Sequence, residues 1–305
     1  MWRQKIYNLL EQNQIVFEFV HTLSVFNLLF IPQHQLYLHL IDLKTFREND
    51  LSNSYFRDFS DKFNPQNQRI IHLWEDIYLT KPDLVESRIL AILGKFIRLH
   101  ARHCIIERID KPTADRFLEI NHLQGSVKAK FKYGLFLKAQ YLNRFEMNIF
   151  DDKNPQKINI PMLIGVATFS GGRTMKVGGR NGKRSYELIR FASLRGYVVV
   201  GGMDKLLKAF IKDHEPDDIM SYVDRDWSDG RSYDILGFKK IANSLPQIFF
   251  INFSTLNREA TNCFTDETGD KYFKIFNAGG VKYIKEIIKK SSLETKEDLV
   301  IVEFL

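Results

Sequence analysis

The 305-residue chain, 44% apolar and 27% charged, has the ordinary balance of a soluble globular protein and ample length for two cores. Its net charge of +7 favours a polyanionic partner. The two cysteines, Cys104 and Cys263, are too far apart for a zinc ribbon or a disulfide framework, which fits a reducing cytoplasm.

In chain order, residues 2–12 carry Ile6, Leu9 and Leu10 at the spacing of a short amphipathic helix. Residues 15–31 and 36–46 read as β runs divided by Pro32-Gln33-His34-Gln35. The first run contains Glu18, His21 and Asn27, so it is expected to be core strand, neither a membrane span nor a signal peptide. Residues 69–76 predict another strand ending in acids, and residues 84–96 a helix opened by Pro82-Asp83. Arg98, His100, Arg102, His103 and Arg108 then crowd together, and a domain join is expected near His100.

Thr113 is the expected N-cap of a helix through Ile120. That helix delivers Asn121-His122 to its C-terminal end, where an imidazole with an ordinary pKa of about 6.5 suits a general base, with a capping role as the alternative. Residues 131–137 and 162–170 predict strands separated by a polar linker around 151–161. Between residues 170 and 186 come five glycines and five cations, Arg173, Lys176, Arg180, Lys183 and Arg184, with no acid. A loop of this composition is read as tracking phosphates, the alternative being a solvated hairpin.

Residues 186–191 and 197–200 predict strands, and Gly201-Gly202 a tight turn into a helix whose apolar face is Leu206, Leu207, Phe210 and Ile211. A helix opening at such a turn presents an anion site. Pro216 ends it, and residues 219–223 are expected to pair parallel with the 197–200 strand through a right-handed crossover. The loop from Asp224 to Gly230 follows, at a strand end where open α/β sheets gather their sites. There Arg225 could grip phosphate, Trp227 could stack on a base and Ser228 joins them in contacting nucleic acid; the alternative is a salt-bridged loop. A strand arginine, Arg190, needs a partner, and a structural ion pair with a carboxylate of this loop is expected. Further strands are predicted at 247–253, completing the sheet, at 272–276 and at 299–305, with a basic helix at 281–290.

Strand, glycine turn, helix, strand and then Tyr233-Asp234-Ile235-Leu236-Gly237-Phe238 resemble the acyl-CoA-binding core of the GNAT acetyltransferase superfamily. The resemblance implies acetyl-CoA or another acyl-CoA, held at Arg195, Gly201, Gly202 and Lys205, with Tyr233 donating a proton to the departing thiolate, a buried structural tyrosine being the alternative. The chain departs from the family's Arg/Gln-x-x-Gly-x-Gly/Ala turn by offering Arg195 and Gly196, then Gly201-Gly202-Met203. Asn121-His122-Leu123-Gln124-Gly125, Tyr133-Gly134-Leu135, the 165–170 segment, Glu187-Leu188-Ile189-Arg190-Phe191 and the 221–230 segment are similar to phage-type and plasmid-type proteins related to the Mom DNA-modification enzyme. They are also similar to GNAT-like domains fused to phage homing-endonuclease-like proteins. This likeness implies a DNA base as substrate, reached by flipping or in a single strand; the candidate catalytic residues remain Tyr233, His122 and Asp224.

The segments 26–32, 36–43 and 71–76 resemble the very-short-patch-repair type of endonuclease. The positions of that family's metal-binding carboxylates fall near Asn27 and His39, so no metal is expected. Asp42-Leu43-Lys44 could imitate half of such a site or form a strand-end ion pair. The expected architecture is therefore α/β (α+β), with a degenerate nuclease-like domain at 1–98 and a GNAT-like mixed-sheet domain at 99–305. The alternatives to DNA modification are a homing-endonuclease-like protein that cuts or binds DNA and an N-acetyltransferase acting on protein or small amines.

Overall fold

The computed structural model describes residues 2–21, 23–63, 68–145, 160–176, 180–260 and 271–288. The linker around 151–159, Cys263 and the strand expected at 299–305 lie outside them.

Helix α1 (Trp2–Gln12) buries Trp2, Ile6 and Leu10, as its periodicity predicts. The apolar run after it divides into β1 (Glu18–Val20) and β2 (Asn27–Ile31), which pair antiparallel. Strand β3 (Leu36–Ile41) returns antiparallel to β2. It ends five residues earlier than expected because Asp42 caps a helix: its Oδ1 accepts from the Thr45 amide at 2.9 Å, and α2 (Leu43–Glu48) begins there. That capping bond, and the contact of Arg3 with Asp42 at 3.4 Å, make Asp42 a structural carboxylate. A further helix that went unforeseen, α3 (Tyr55–Phe63), completes the crossover to β4 (Arg69–Trp74), which lies parallel to β3. Helices α4 (Glu75–Thr80) and α5 (Pro82–Ile92) follow. The four-stranded sheet, ordered β1-β2-β3-β4, is covered on both faces. Ile6, Leu10, Val85 and Ile89 pack against Leu38, Leu40 and Leu73 on one side, and Phe59 and Phe63 against Leu28 on the other.

Beyond β5 (Ile97–His100) come β6 (Cys104–Arg108), α6 (Lys111–Asn121), β7 (Phe131–Leu137), β8 (Met162–Phe169), β9 (Arg173–Thr174) and β10 (Arg184–Ser193). Then follow β11 (Tyr197–Val200), α7 (Gly202–His214), β12 (Asp218–Asp224), α8 (Arg231–Ile235) and β13 (Lys239–Asn243). The last elements are β14 (Ile248–Asn252), β15 (Arg258–Ala260), β16 (Tyr272–Phe276) and β17 (Gly280–Glu286). The large sheet runs β13-β17-β12-β10-β8-β7-β6, with β9 on β10. Within it only β10 and β12 pair in parallel, among the described residues. Helix α6 covers one face, setting Phe117 and Leu118 on Val166 and Ala192. Helix α7 covers the other, where Phe210 stacks on Phe169 with centroids 3.9 Å apart.

Several expectations need correction. Strand β12 pairs with β10, whereas β11 pairs in parallel with β5. The N-cap of α6 is Asp110, whose side chain accepts from the Thr113 amide at 2.9 Å. The expected helix at 281–290 is instead β17, with Val281 and Tyr283 buried, wedged between β12 and β13. Strand β14 leaves the large sheet and joins β15 and β16 in a separate one. That small sheet shares a core with the N-terminal elements: Ile251, Ile275 and Phe276 pack with Phe26, Phe46, Phe56 and Trp74.

Candidate functional site at the split of the large sheet

Strands β10 and β12 are in register only from Ser185–Glu187 against Asp218–Met220. At the next position a side chain replaces the backbone ladder: Ser221 donates its hydroxyl to the Leu188 carbonyl at 2.9 Å. Its proton is thereby committed, so the Tyr233 hydroxyl, 3.1 Å from Ser221 Oγ, is the donor to it. Tyr233 reaches this point because α8 starts at Gly230 in a left-handed conformation (φ 86°), where a Cβ would collide with the Tyr283 hydroxyl. The Tyr233 ring stacks on Tyr283 at 5.4 Å and meets Phe238 edge-on at 5.2 Å. Burial raises its pKa, so the hydroxyl keeps its proton at neutral pH.

On the α6 face of the split, His122 caps α6, and its Nδ1 accepts from the Gln124 amide at 3.2 Å. Burial, then the charges of Arg190, Arg88 and Lys81, push its pKa down to about 3. It is therefore neutral at pH 7 but a far weaker base than the ordinary imidazole expected from sequence. Gln124 Nε2 donates to Asp224 Oδ2 at 3.1 Å, while Asp224 Oδ1 accepts from the Asp226 amide at 3.0 Å. The structure thus joins His122 to Asp224 through Gln124. Tyr233 stands apart: its anchor, Ser221, is three residues from Asp224, a separation of about 10 Å with side chains on opposite faces of the strand.

Arg190 makes no ion pair with the loop. It donates to the Gly125 carbonyl at 3.3 Å and the Ile189 carbonyl at 3.0 Å, with Glu187 and Asp224 acting on it only through their fields.

The loop after β12 packs into the interior formed by the N-terminal elements, whereas nucleic-acid contacts were expected of it. Arg225 is buried and paired with Asp61. Trp227 is 4% exposed and packs in the first domain's core. Ser228 is occupied within the loop, accepting from the Gly230 amide at 3.2 Å. Asp226 accepts from Trp74 Nε1 at 3.0 Å and from the Ala278 amide at 2.8 Å, and its carbonyl accepts from the His72 amide at 2.9 Å. Burial, reinforced by the neighbouring Asp224, raises its pKa.

At the glycine turn, Gly201 has φ 74° and begins α7. A Cβ on Gly202 would press on Val199 and Leu135 at 3.1 and 3.2 Å. Lys205 Nζ donates to the Ala101 carbonyl at 2.9 Å and the Cys104 carbonyl at 2.6 Å. Gly201, Lys205 and Ala101, with His100, Arg102 and the Asp204–Lys208 ion pair, line a cavity of ≈ 370 Å³. Arg195 does not join them: it pairs with Asp83 at 2.8 Å at the far end of β11, about 13 Å away for a four-residue strand. Strand β11 stands at 197–200 as expected, but its hydrogen bonds to β5 hold Arg195 and Gly201 at opposite ends of an extended segment.

The basic loop separates into two sets. Arg180 is bound to Asp218, which is fully buried, and to Ser185; Lys183 pairs with Glu286 at 3.0 Å. Arg184 lies over the Tyr186 ring at 5.3 Å. Arg173 and Lys176 point to solvent.

Sequence reasoning missed Ser221, Arg88 and Lys81. Each looks like an ordinary member of its own element, and only the fold brings them to this junction.

No protein-family model and no curated protein matches the chain. Among solved structures it is similar to the NatC complex bound to Gag peptide and CoA, at 9% identity and TM-score 0.31 over 61% of this chain and 99% of that one. It is similar to a Bacillus subtilis acetyltransferase in complex with CoA at 14% identity and TM-score 0.33, covering 61% and 99%. The third is histone acetyltransferase HPA2 and related acetyltransferase from Corynebacterium glutamicum, at 10% identity and TM-score 0.33, covering 62% and 99%. The chain is an α/β protein. In chain order, strand β11, the glycine turn, α7, β12 and the Tyr233-bearing segment follow one another, with β12 in the large sheet and β11 paired to β5. Among the described residues, no helix is long and apolar enough to cross a membrane.

Proposed function

We propose that the protein is a GNAT-like acyltransferase that modifies nucleic acid, a DNA base in the manner of Mom-like enzymes. The observation that carries the acyltransferase reading is the protonated Tyr233 hydroxyl, bonded to Ser221 at the point where β10 and β12 part. A hydroxyl held there can hand its proton to a departing thiolate and regain one from solvent, the role of a general acid. An acyl-CoA would lie with its phosphates toward the start of α7, where Gly201, Lys205, Lys208 and Arg102 line the cavity. Asp224 and His122, linked through Gln124, would position the attacking amine on the other side of the split. The nucleic-acid assignment is supported by the net charge of +7 and by the solvent-facing Arg173 and Lys176. The domain at 1–98 then serves as a DNA-binding module, with structural residues where a nuclease would hold its metal.

Mass spectrometry of nucleosides from cells expressing the wild type and Tyr233→Phe tests this reading. A new adduct on one nucleoside, lost in the variant, is expected. Unchanged nucleosides together with an acylated protein or small amine would overturn the DNA assignment while keeping the acyltransferase.

A further inference from the structure

At the junction of the two domains, buried hydrogen-bond donors outnumber the acceptors they can reach. Arg88, on α5, lies over the indole of Trp227, with Cζ 5.4 Å from the ring centroid. Its Nε is buried and meets no acceptor, and the same holds for Trp227 Nε1 and Arg225 Nη1. A guanidinium carries five N–H donors and accepts nothing. Shedding water from such a group without a partner opposes folding, so a cation placed this way is in want of an anion.

The surroundings reinforce that shortage. Lys81 approaches the same place and gives its ammonium to the Leu123 carbonyl at 3.0 Å, beside His122. Arg190 reaches it from β10, donating to Gly125. The charges of Arg190, Arg88 and Lys81 all act on His122. The charge of Asp224 acts on Arg88, but its oxygens already accept from Gln124 and the Asp226 amide. Arg88, Arg190, His122 and Asp224 are each partly exposed, and Gln124 is exposed, which leaves the junction open to solvent.

We propose that Arg88, supported by Arg190 and Lys81, binds a phosphate oxyanion at this junction, on the α6 face of the split sheet. The site itself needs only these residues; that the phosphate belongs to a nucleotide rests on the reading of the protein as a nucleic-acid acyltransferase. A guanidinium fork takes two oxygens of a phosphate side by side, leaving the others for a second cation. Phosphate answers three cations better than a carboxylate does, because it offers more acceptor atoms and more charge. In the nucleotide case the oxyanion would fix the sugar-phosphate while the base turns into the split, on the side of Asp224 and His122.

The test is thermal unfolding and calorimetric titration of the full chain with inorganic phosphate, with a deoxynucleoside 5′-monophosphate and with acetate, at matched ionic strength. Phosphate and the nucleotide should bind saturably and raise Tm, with acetate far weaker. Arg88→Ala should weaken phosphate binding by about tenfold or more, without lowering the Tm of the ligand-free protein, because its guanidinium leaves no protein acceptor behind. Arg88→Lys should keep part of the affinity, since charge survives and the fork does not. An independent readout is the His122 imidazole, whose titration should move upward when phosphate is bound. An Arg88→Ala variant that fails to fold, or that binds phosphate as the wild type does, would make Arg88 structural and overturn the proposal. Equal stabilisation by acetate would overturn the phosphate assignment. Phosphate binding through Arg88 with no nucleoside adduct in cells would sink the DNA-modification reading alone, whereas an adduct with no Arg88-dependent phosphate binding would sink this one alone.

Discussion

The imidazoles of His39 and His72 meet Nδ1 to Nδ1 at 2.9 Å on paired positions of β3 and β4. Their outer nitrogens continue the chain, His39 to Ser24 at 2.7 Å and onward to Tyr55 at 3.1 Å, His72 to Ser60 at 2.8 Å. Two rings joined in this way hold one proton between them, and a further proton would put two donors face to face.

Acid should therefore unfold the first domain. Burial lowers both pKa values, that of His72 to about 3. Between there and the unfolded value near 6.5, the unfolded chain binds more protons than the folded one, so stability falls as pH falls. Each group can contribute a slope of about 1.4 kcal/mol per pH unit in that window. Urea unfolding at pH 7, 6 and 5 should show steadily lower midpoints, with a shallower trend in the His39→Gln/His72→Gln variant. A flat profile in the wild type would mean that the pair titrates normally.

Trp227→Ala should cost about 3–5 kcal/mol, the range for deleting a buried aromatic, because the indole sits in the first domain's core. Denaturant unfolding measures it. A stable variant with selectively weakened DNA binding would restore Trp227 as a stacking residue.

The cations of the glycine loop should divide in the same way. Arg180→Ala leaves the fully buried Asp218 without its guanidinium, and stability should drop by about 3–5 kcal/mol. Arg173→Ala with Lys176→Ala should leave stability unchanged and reduce the slope of log K against log salt for duplex DNA by about 0.9 for each phosphate left unneutralised. An unaltered salt slope would reduce that part of the loop to a solvated hairpin.

Tyr233→Phe should keep the fold, since the ring still packs on Tyr283 and Phe238, while the acyl-transfer rate falls by about 100-fold or more. Asp224→Asn separates positioning from structure: lower activity at unchanged Tm is expected, and a matching loss of stability would make the carboxylate structural.

Much of this fold was legible in the sequence. Helix α1, strands β7, β8 and β16, and the turn at Gly201 stand where pattern and glycine chemistry put them. The errors share physical causes. In β17 the buried Val281 and Tyr283 alternate with Lys282, a period of two that basic residues disguised as a helix. The Phe56, Phe59 and Phe63 spacing of α3 was a readable helical signal that went unread. Arg225 and Trp227 misled for a deeper reason: a polar loop is expected on the surface, and only the other domain, distant in sequence, supplies the walls that bury it. The partial site follows suit, since Tyr233 is announced by its local segment while Arg88 and Ser221 acquire meaning only from their neighbours.

Asp226 takes a hydrogen bond from Trp74, Arg258 grips Asp76 through two bonds of 2.6 and 3.0 Å, and β5 completes a ladder with β11. Produced as two polypeptides divided just after β5, at His100, the halves should behave as an obligate heterodimer. Each alone would expose an unfinished interior, and a gene cut at this place should be silent until both pieces are made together.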